Sequence, residues 1–341
     1  MKANDIRRFG RAGFDVTLFG YGGAPIGNIF RSIPEADAQA QISEAWDMGV
    51  RSFDTAPMYG HGLSEHRIGH AMLAKNRDDY VLSTKVGRTL IPAPRGSFDT
   101  GIWVDTPPFR AEFDYSYDSA LRQVEDSLQR MCQDRFDILY VHDIDRYTHG
   151  DSQPERFAEA LAGAFPALIR LREEGVVRAI GIGVNEATVC VDALERVDLD
   201  CVLLAGRYTL LEQGPATDLL PLAVERDVAV VLGGVFNSGI LATGSVLDAK
   251  FNYRPASEEV LSRVREIEVF CAQYRVPLAA AAIQFASAHP AVRELLLGAR
   301  SCEQIRRNAA WLEHSIPVEF WTELRAAGLI HEEAPTPAVS K

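Results

Sequence analysis

The chain alternates between short runs of β-branched and aromatic residues and longer segments in which apolar residues recur every three or four positions. This alternation extends from about residue 16 to residue 313. Short apolar runs are typical of buried strands, whereas the longer period indicates amphipathic helices. The pattern predicts eight strands: Val16–Phe19, Arg51–Phe53, Tyr80–Thr84, Phe136–Val141, Ala179–Ile182, Cys201–Leu204, Val228–Leu232 and Glu294–Leu297.

Several helix boundaries can be placed between these strands. Pro34 is predicted to begin a helix that ends at Gly49, and Ser64 is predicted to cap the next helix. An apolar stripe with spacings of four and three residues predicts a helix over 117–131. A further helix is predicted to begin near Pro154 and to end at Gly175.

Eight units of a strand followed by a helix predict a closed (β/α)8 barrel, the TIM barrel, in a single domain over residues 1–333. The alternative is a doubly wound sheet, which would show GxGxxG after its first strand. The corresponding segment reads LFGYGGAPIGN and does not match. Ile6–Phe9 and Phe14–Val16 flank a turn at Gly10–Gly13, which predicts a small hairpin that closes the bottom of the barrel.

Two segments depart from the regular pattern. Gly87–Asp114 contains four prolines and shows no periodicity. Because loops of this length in compact domains are usually functional, we expect this segment to act as a lid over the pocket. Residues 334–341 contain prolines and small side chains and are predicted to form a flexible C-terminal tail.

Composition and charge restrict the class of partner. The net charge of −12 at pH 7 would repel nucleic acids and anionic membranes, although a few local cations and a helix N-terminus suffice to bind a dinucleotide. The five cysteines include no CxxC pair, which argues against a disulfide framework or a metal site and favours a reducing compartment. Without a signal-peptide pattern or an apolar run of about 20 residues, we expect a cytoplasmic protein, with its oligomeric state left open.

Three polar residues directly follow apolar strands, at the end of the barrel where active sites of this architecture lie. They are Asp54, Lys85 and His142, and Tyr59 lies five residues beyond Asp54 in the loop DTAPMYGHG. Since an ammonium group lowers the pKa of a nearby tyrosine from its ordinary value of about 10, we expect Lys85 to activate Tyr59. Asp54 would hold Lys85, and His142 would hydrogen-bond the substrate oxygen. Each residue has a structural explanation by itself, but their convergence predicts proton transfer coupled to hydride transfer.

These residues lie in motifs that resemble the aldo-keto reductase family over nearly the whole chain. The motifs are FDTAPMYGHGLSEHRIGHAM, the STK at the end of the third predicted strand, and DILYVHD in the fourth. The resemblance implies a TIM barrel that binds NAD or NADP in an extended conformation without a Rossmann motif. It also implies that Asp54, Tyr59, Lys85 and His142 are the catalytic tetrad of the family, with Tyr59 as the general acid–base.

The resemblance includes a cofactor-binding segment after the last strand, GARSCEQIRRN. The segment would hold the adenine half of the cofactor at a helix N-terminus, with Asn308 on the adenine itself. The residues implied are Gly298, Ala299, Arg300, Ser301, Gln304 and Asn308. NADP-binding members of the family carry a lysine and an arginine in place of Gly298 and Gln304, so NAD is expected in preference to NADP. Arg300 could partly replace these cations, because arginine binds phosphate well, or could begin a solvated helix.

The nicotinamide half of the cofactor would be held by other loops. Asn185, in the run IGIGVNE, would bind the carboxamide in this resemblance. The aromatic residue that commonly stacks on the nicotinamide would fall near Gly233. Tyr208 or Phe236 would take its place, and either could instead be a core residue.

Further motifs resemble one branch of the family: APIGN, VHDIDRYTHG, GVNE, AGRYTLLEQ and NSGIL. That branch contains D-threo-aldose 1-dehydrogenases, also called L-fucose dehydrogenases, and pyridoxal 4-dehydrogenases, which oxidise a cyclic hemiacetal to a lactone with NAD. The resemblance therefore implies an aldose as substrate, with pyridoxal as the alternative and a general aldehyde or ketone reductase as another. Trp103 would lie against a pyranose ring, or would anchor its segment to the barrel rim.

A non-enzymatic alternative also follows from the resemblance. The family fold serves as an accessory subunit of potassium channels, in which cofactor binding acts in sensing. Such a protein needs a large interaction surface, and no amphipathic or tail element of this sequence indicates one. We therefore expect an enzyme.

Overall fold

Strands and helices alternate in the computed structural model, which describes residues 1–337. The strands are β1 (Ile6–Arg8), β2 (Asp15–Thr17), β3 (Phe19–Gly22), β4 (Ser52–Asp54), β5 (Val81–Val86), β6 (Arg88–Pro92), β7 (Phe109–Phe113), β8 (Ile138–His142), β9 (Ala179–Val184), β10 (Cys201–Ala205), β11 (Ala229–Gly233), β12 (Lys250–Phe251), β13 (Arg254–Pro255) and β14 (Val292–Leu297). The helices are α1 (Glu35–Asp47), α2 (Leu63–Met72), α3 (Tyr117–Met131), α4 (Arg146–His149), α5 (Gln153–Ala162), α6 (Ala164–Glu173), α7 (Ala187–Arg196), α8 (Leu219–Glu225), α9 (Ile240–Thr243), α10 (Glu258–Tyr274), α11 (Leu278–Ser287), α12 (Cys302–Glu313) and α13 (Val318–Ala326).

Eight parallel strands close into a barrel in chain order, β3–β4–β5–β8–β9–β10–β11–β14, with β14 paired to β3. The predicted (β/α)8 barrel is confirmed. Its strands are buried at nearly every position, because side chains fill the interior while helices cover the outside. The first predicted strand, Val16–Phe19, was wrong, since Val16 pairs with Arg7 in an antiparallel hairpin and the barrel strand begins at Phe19.

The hairpin of β1 and β2 closes the bottom of the barrel, as predicted. Phe9 and Phe14 stack with ring centroids 4.9 Å apart. Both rings pack with Val16 into one buried cluster with barrel residues that include Ile138 and Ala229. The barrel is therefore sealed at the end opposite the C-terminal ends of its strands.

Two of the predicted helices match the structure, and a predicted cap does not. The helix after Pro34 is α1, and the apolar stripe over 117–131 lies in α3. Ser64 does not cap α2, because the cap is Gly62, whose φ of 92° suits glycine. Ser64 lies inside the helix, where its hydroxyl donates to the carbonyl oxygen of Gly23 at 2.8 Å.

The single helix predicted from Pro154 to Gly175 is divided into α5 and α6 at Gly163. A Cβ atom at Gly163 would lie 2.3 Å from the carbonyl oxygen of Tyr115. The helix therefore breaks where the backbone before α3 crosses it, and only glycine allows that approach. The sequence pattern continues through the break, which is why the division was missed.

The segment Gly87–Asp114 was wrongly predicted to lack regular structure. It contains the antiparallel hairpin of β6 and β7, with pairs from Arg88–Phe113 to Pro92–Phe109. Both faces of the hairpin are partly exposed, so its strands lack the apolar alternation by which a half-buried strand is recognised. The connection at its tip carries Trp103, which forms a β-bridge with Ile29 after β3.

The end of the described chain is held to α13. The amide of Ala334 donates to the carbonyl oxygen of His331. The carbonyl oxygen of Ala334 accepts from the Arg325 guanidinium at 2.6 Å. Residues 338–341 of the predicted tail lie outside the described residues. The single domain over 1–333 and the flexible tail therefore stay predictions. None of the helices in residues 1–337 is long and apolar enough to cross a membrane.

Candidate active site

The structure brings the four predicted catalytic residues together above the barrel. Asp54 and His142 are the last residues of β4 and β8, Lys85 is the penultimate residue of β5, and Tyr59 lies in the loop before α2. The Lys85 Nζ atom lies 4.7 Å from the centroid of the Tyr59 ring. The ring centroids of Tyr59 and His142 lie 5.9 Å apart. Neighbouring parallel strands end at the same face, so residues distant in sequence form one site.

Lys85 and Asp54 form a buried ion pair. The ammonium donates to Asp54 Oδ2 and to the carbonyl oxygen of Thr55, both at 2.7 Å. Asp54 Oδ1 also accepts from the Ser83 hydroxyl at 2.7 Å. Burial raises the pKa of Asp54 and lowers that of Lys85, and the attraction between the two groups opposes both shifts. The carboxylate therefore offsets the positive charge that the ammonium would otherwise direct at Tyr59.

The expected lowering of the Tyr59 pKa was wrong for the protein alone. Burial raises the pKa of Tyr59 well above 10, and the carboxylates of Asp54 and Asp143 raise it further, while Arg88 opposes them. Tyr59 is therefore a neutral phenol at physiological pH. It can donate a proton as it stands, and must first lose one to act as a base.

His142 is also uncharged. Burial, together with the positive charges of Arg88 and Lys85, lowers the pKa of His142 well below 6.5. A neutral imidazole has one N–H donor and one acceptor nitrogen. The site therefore offers a substrate oxygen two neutral hydrogen-bonding groups, Tyr59 and His142.

A buried carboxyl group below the ion pair is also protonated near neutral pH. Burial raises the pKa of Glu294, inside the barrel on β14, to about 8. The nearby carboxylate of Asp54 raises it as well, and a hydrogen bond to Ser52 opposes both. At pH 7 the negative charge beneath the site therefore resides mainly on Asp54.

Two charged residues beside His142 were missed in the sequence. Arg88 Nη2 lies 2.7 Å from Asp143 Oδ2, and Arg88 Nη1 lies 3.4 Å from His142 Nδ1. Asp143 directly follows His142, and Arg88 comes three residues after Lys85. The available signal was the same as for the tetrad, a charged residue next to the C-terminal end of a barrel strand.

A cleft of about 340 Å³ extends from the tetrad across the ends of β10, β11 and β14. Tyr59 and Asp54 line one end, and Gly298 and Arg300 line the other. Six glycines contribute backbone to its walls: Gly22, Gly206, Gly233, Gly234, Gly239 and Gly298. The cleft reaches Gly298 and Arg300, just before the N-terminus of α12, where the phosphates of a dinucleotide can bind.

Several residues predicted to bind the cofactor lie at this cleft. Asn185 lines it, with its amide nitrogen 3.3 Å from Asp143 Oδ1, which leaves its carbonyl oxygen for a carboxamide. Phe236 also lines the cleft and contacts Trp311 edge-on, with centroids 5.8 Å apart.

Tyr208 does not reach the cleft, and its prediction as a nicotinamide platform was wrong. It is buried against Phe285 and His289, with ring centroids 5.4 and 5.8 Å away. The structure supports the alternative interpretation, in which Tyr208 is a core residue. The loop after β10 turns its aromatic side chain outward, between barrel and helices, which the local sequence does not reveal.

The segment after β14 positions its backbone by internal hydrogen bonds. The Ser301 hydroxyl accepts from the amide of Gln304 at 3.3 Å and caps α12. The Gln304 side chain accepts from the amide of Arg300 at 2.8 Å. Ala299 and Asn308 are buried and do not line the cleft.

Gly298 lies against Pro25 where β14 ends at the cleft. A Cβ atom at position 298 would lie 2.6 Å from Cγ of Pro25. Pro25 therefore occupies the space that a lysine at this position would need. Its ring provides a steric reason for the glycine, in addition to the missing charge.

Trp103 lies beside the tetrad. Its side chain is buried, and its ring centroid is 5.7 Å from that of Tyr59, with an interplanar angle of 35°. The hairpin of β6 and β7 thus places an aromatic wall next to the reacting groups.

Comparison with known proteins agrees with this architecture. The model of the aldo/keto reductase family matches residues 19–328. The chain belongs to this family. It is therefore an oxidoreductase, and like other aldo-keto reductases it uses a nicotinamide cofactor.

Two relatives of this aldo-keto reductase match over almost their whole length. A pyridoxal 4-dehydrogenase from Microbacterium luteolum is 48% identical over 97% of this chain and 99% of its own. A D-threo-aldose 1-dehydrogenase from a Pseudomonas species is 40% identical over 96% of this chain and 97% of its own. Both support the branch of the family to which the motifs pointed.

A solved structure shows the same fold. The holo form of an aldo-keto reductase from Bacillus halodurans superposes with a TM-score of 0.72 over 99% of this chain and 98% of its own. Its sequence is 24% identical. At that identity the likeness supports the barrel alone.

Replacing Tyr59 by phenylalanine should lower kcat by about 10²- to 10⁴-fold, the usual contribution of a general acid–base. Because the pKa of Tyr59 is raised, the wild-type rate of oxidation should increase with pH from about 7 to 9, as its proton is lost more readily. The measurement is kcat for NADH formation across this range, with cofactor binding followed by fluorescence.

Tyr274→Phe is the control, because Tyr274 lies on α10, packs edge-on against Phe320 and does not line the cleft. That variant should retain the wild-type kcat and pH profile. A Tyr59→Phe enzyme with nearly wild-type kcat on its best substrate would exclude Tyr59 as the acid–base.

Proposed function

We propose that this enzyme uses NAD to oxidise the hemiacetal carbon of a small cyclic substrate, C1 of an aldose of the L-fucose type, to a lactone. The observation that carries the proposal is the convergence of Tyr59 and a neutral His142 beside the Lys85–Asp54 pair at one end of the cleft. Both groups can hydrogen-bond one substrate oxygen, while the reacting carbon faces the cleft.

In this reaction the anomeric hydroxyl binds between Tyr59 and His142. Tyr59, once deprotonated, accepts the hydroxyl proton while the C1–H bond breaks and the C1–O bond becomes a carbonyl. The nicotinamide ring of the cofactor supplies the acceptor for the hydride, and its positive charge in NAD favours the phenolate of Tyr59. The N–H group of His142 holds the substrate oxygen in line. One proton and one hydride leave the hemiacetal, which gives the lactone without a water molecule.

The proposed preference for NAD rests on the adenine end of the cleft. Gly298 and Gln304 provide no positive charge for a 2′-phosphate, and Pro25 fills the space beside Gly298. Arg300 is half-buried, and its Nη2 atom already donates to the carbonyl oxygen of Ile29 at 3.2 Å. Its guanidinium is therefore only partly available to a phosphate.

Pyridoxal is a second candidate substrate, and two observations favour it. The relative that is 48% identical is, by its name, a pyridoxal 4-dehydrogenase. The mouth of the site is largely aromatic, with Trp103 beside Tyr59 and with Phe30, Tyr147 and Tyr253 at the cleft. Such walls suit a flat pyridine ring, whereas an aldopyranose also needs polar partners for its hydroxyl groups.

A steady-state screen tests the function. NADH formation should be seen with one or more of L-fucose, D-arabinose, L-galactose, L-xylose and pyridoxal, with a lactone as the product. The kcat/KM ratio between L-fucose and pyridoxal then identifies the substrate class. We expect kcat/KM with NAD to exceed that with NADP by at least about tenfold, a difference of about 1.4 kcal/mol.

Gln304→Arg should shift this preference toward NADP without requiring space beside Pro25. If the wild-type enzyme instead prefers NADP by about tenfold, Arg300 would be the residue that contacts the 2′-phosphate. Turnover of simple open-chain aldehydes alone, with every hemiacetal inactive, would contradict the proposed reaction and favour a general reductase.

Trp103→Ala should raise KM for the substrate by about three- to tenfold, the effect expected for one aromatic contact. The dissociation constant for NAD should stay unchanged, because Trp103 borders Tyr59 rather than the adenine end of the cleft. Ile102→Ala is the control, since Ile102 is the exposed neighbour in the same connection. An unchanged KM accompanied by a lower Tm would show that Trp103 only anchors the hairpin.

A further inference from the structure

The imidazole of His142 has a charged neighbour at each nitrogen atom. Arg88 Nη1 lies 3.4 Å from Nδ1, in hydrogen-bonding geometry. Asp143 Oδ2 lies 3.6 Å from Nε2. A guanidinium has only donors, so Nδ1 must be the acceptor nitrogen and the proton of the neutral ring must reside on Nε2.

The Nε2–H group remains available to a substrate. A separation of 3.6 Å is too long for a hydrogen bond to Asp143, and among residues 1–337 no other group accepts from Nε2. Asp143 Oδ2 instead accepts from Arg88 Nη2 at 2.7 Å. Arg88 therefore donates to the acceptor nitrogen of the imidazole, Nδ1. At the same time it pairs with the Asp143 carboxylate, which would otherwise compete with a substrate for the Nε2–H group.

We infer that Arg88 is a positioning residue that selects the Nε2–H tautomer of His142 and, by pairing with Asp143, keeps the imidazole neutral. This inference rests on the proposed role of His142 as the donor to the substrate oxygen. It adds to the tetrad a residue that acts through His142 and needs no contact with the substrate.

The hairpin of β6 and β7 holds Arg88 in place for this role. Arg88 is the first residue of β6 and pairs with Phe113 of β7. Its guanidinium lies 4.3 Å from the centroid of the Phe113 ring, a cation–π contact, and the side chain is buried. The stack limits the motion of the guanidinium, so both of its contacts can form together.

The other charged groups near His142 are paired with an opposite charge, and the remaining titratable groups near it are neutral. Lys85 is paired with Asp54 at 2.7 Å, and Tyr59 is a neutral phenol because its pKa is raised. Burial and the charge of Lys85 also disfavour the charged ring, and the pairing of Arg88 with Asp143 adds to them by compensating the nearby carboxylate. Without Arg88, an uncompensated carboxylate would lie 3.6 Å from the imidazole. That carboxylate would favour the charged ring and would capture its Nε2–H group.

Nitrogen-15 NMR of the histidines in the free protein tests the inference directly. The His142 signals are assigned by their loss in His142→Gln. In the wild type, His142 should show the Nε2–H tautomer and should not titrate between about pH 5 and pH 8, the range in which histidines ordinarily change charge. In Arg88→Met, His142 should titrate within this range.

The double variant Arg88→Met, Asp143→Asn separates the two roles of Arg88. It buries no unpaired carboxylate, so it also provides a folded protein if Arg88→Met alone is unstable. Its His142 should again stay neutral, but as a mixture of tautomers, since nothing then donates to Nδ1. If the double variant keeps the pure Nε2–H form, Arg88 does not select the tautomer.

Kinetics provide a second readout. Arg88→Met should lower kcat by at least about tenfold, as expected for a residue that orients a catalytic group, and should add a decline in kcat on the acid side near neutral pH. Arg110→Met is the control, because Arg110 lies on β7 of the same hairpin in an exposed pair with Glu112. It should leave both kcat and the NMR signals unchanged.

Two results would overturn the inference. One is a wild-type His142 that carries its proton on Nδ1 or titrates between about pH 5 and pH 8. The other is an Arg88→Met protein whose His142 behaves as in the wild type. Because these spectra are recorded without substrate, they are informative even if no hemiacetal is turned over, so failure of the inference is distinguishable from failure of the proposed function.

Discussion

The site depends on the ion pair between Lys85 and Asp54, buried at the C-terminal end of the barrel. Removing two charges from water is costly, and that cost is offset only when each charge is closely paired and its remaining hydrogen bonds are made. Here the ammonium donates to Asp54 and to the Thr55 carbonyl oxygen, and the carboxylate also accepts from Ser83. The pair fixes the ends of β4 and β5, and with them the position of Tyr59.

The second ion pair, between Arg88 and Asp143, lies on the other side of the reacting groups. Tyr59 and His142 are therefore two neutral side chains between two internally compensated pairs. Because the charges within each pair compensate one another, the protein's own charges do not outweigh the charge of a bound ligand at this site. The positive charge of an oxidised nicotinamide would then have a large effect on the proton of Tyr59, which fits an enzyme that works in the direction of oxidation.

The barrel was predictable because its signal is repeated along the chain. Each strand is a short apolar run and each helix has its own period, so an error at one boundary, as at Val16, left the architecture unchanged. The tetrad was predictable for a related reason, since Asp54, Lys85 and His142 each lie at the C-terminal end of a recognisable strand. The hairpin of β6 and β7 was not predictable, because both of its faces are partly exposed and its segment carries four prolines.

The features that could not be predicted from the sequence depend on the three-dimensional surroundings of the residues. The high pKa of Tyr59 results from burial and from the carboxylates beside it, neither of which a motif reveals. The outward turn of Tyr208 follows from the path of a loop after its strand. The pairing of Arg88 with Asp143 depends on β5 and β8 being neighbours in the barrel, so that the residues after each strand meet. The position of Trp103 beside Tyr59 likewise requires the connection between β6 and β7 to reach Ile29 at the barrel rim.

Transfer of a deuterium label from the hemiacetal carbon tests the proposed chemistry most directly. The substrate identified in the screen is prepared with deuterium at that carbon and oxidised with NAD. NMR of the products should then show the deuterium at C4 of the nicotinamide ring and none in the lactone, with a primary isotope effect on kcat/KM. Deuterium retained in the product or released to water would contradict hydride transfer from this carbon.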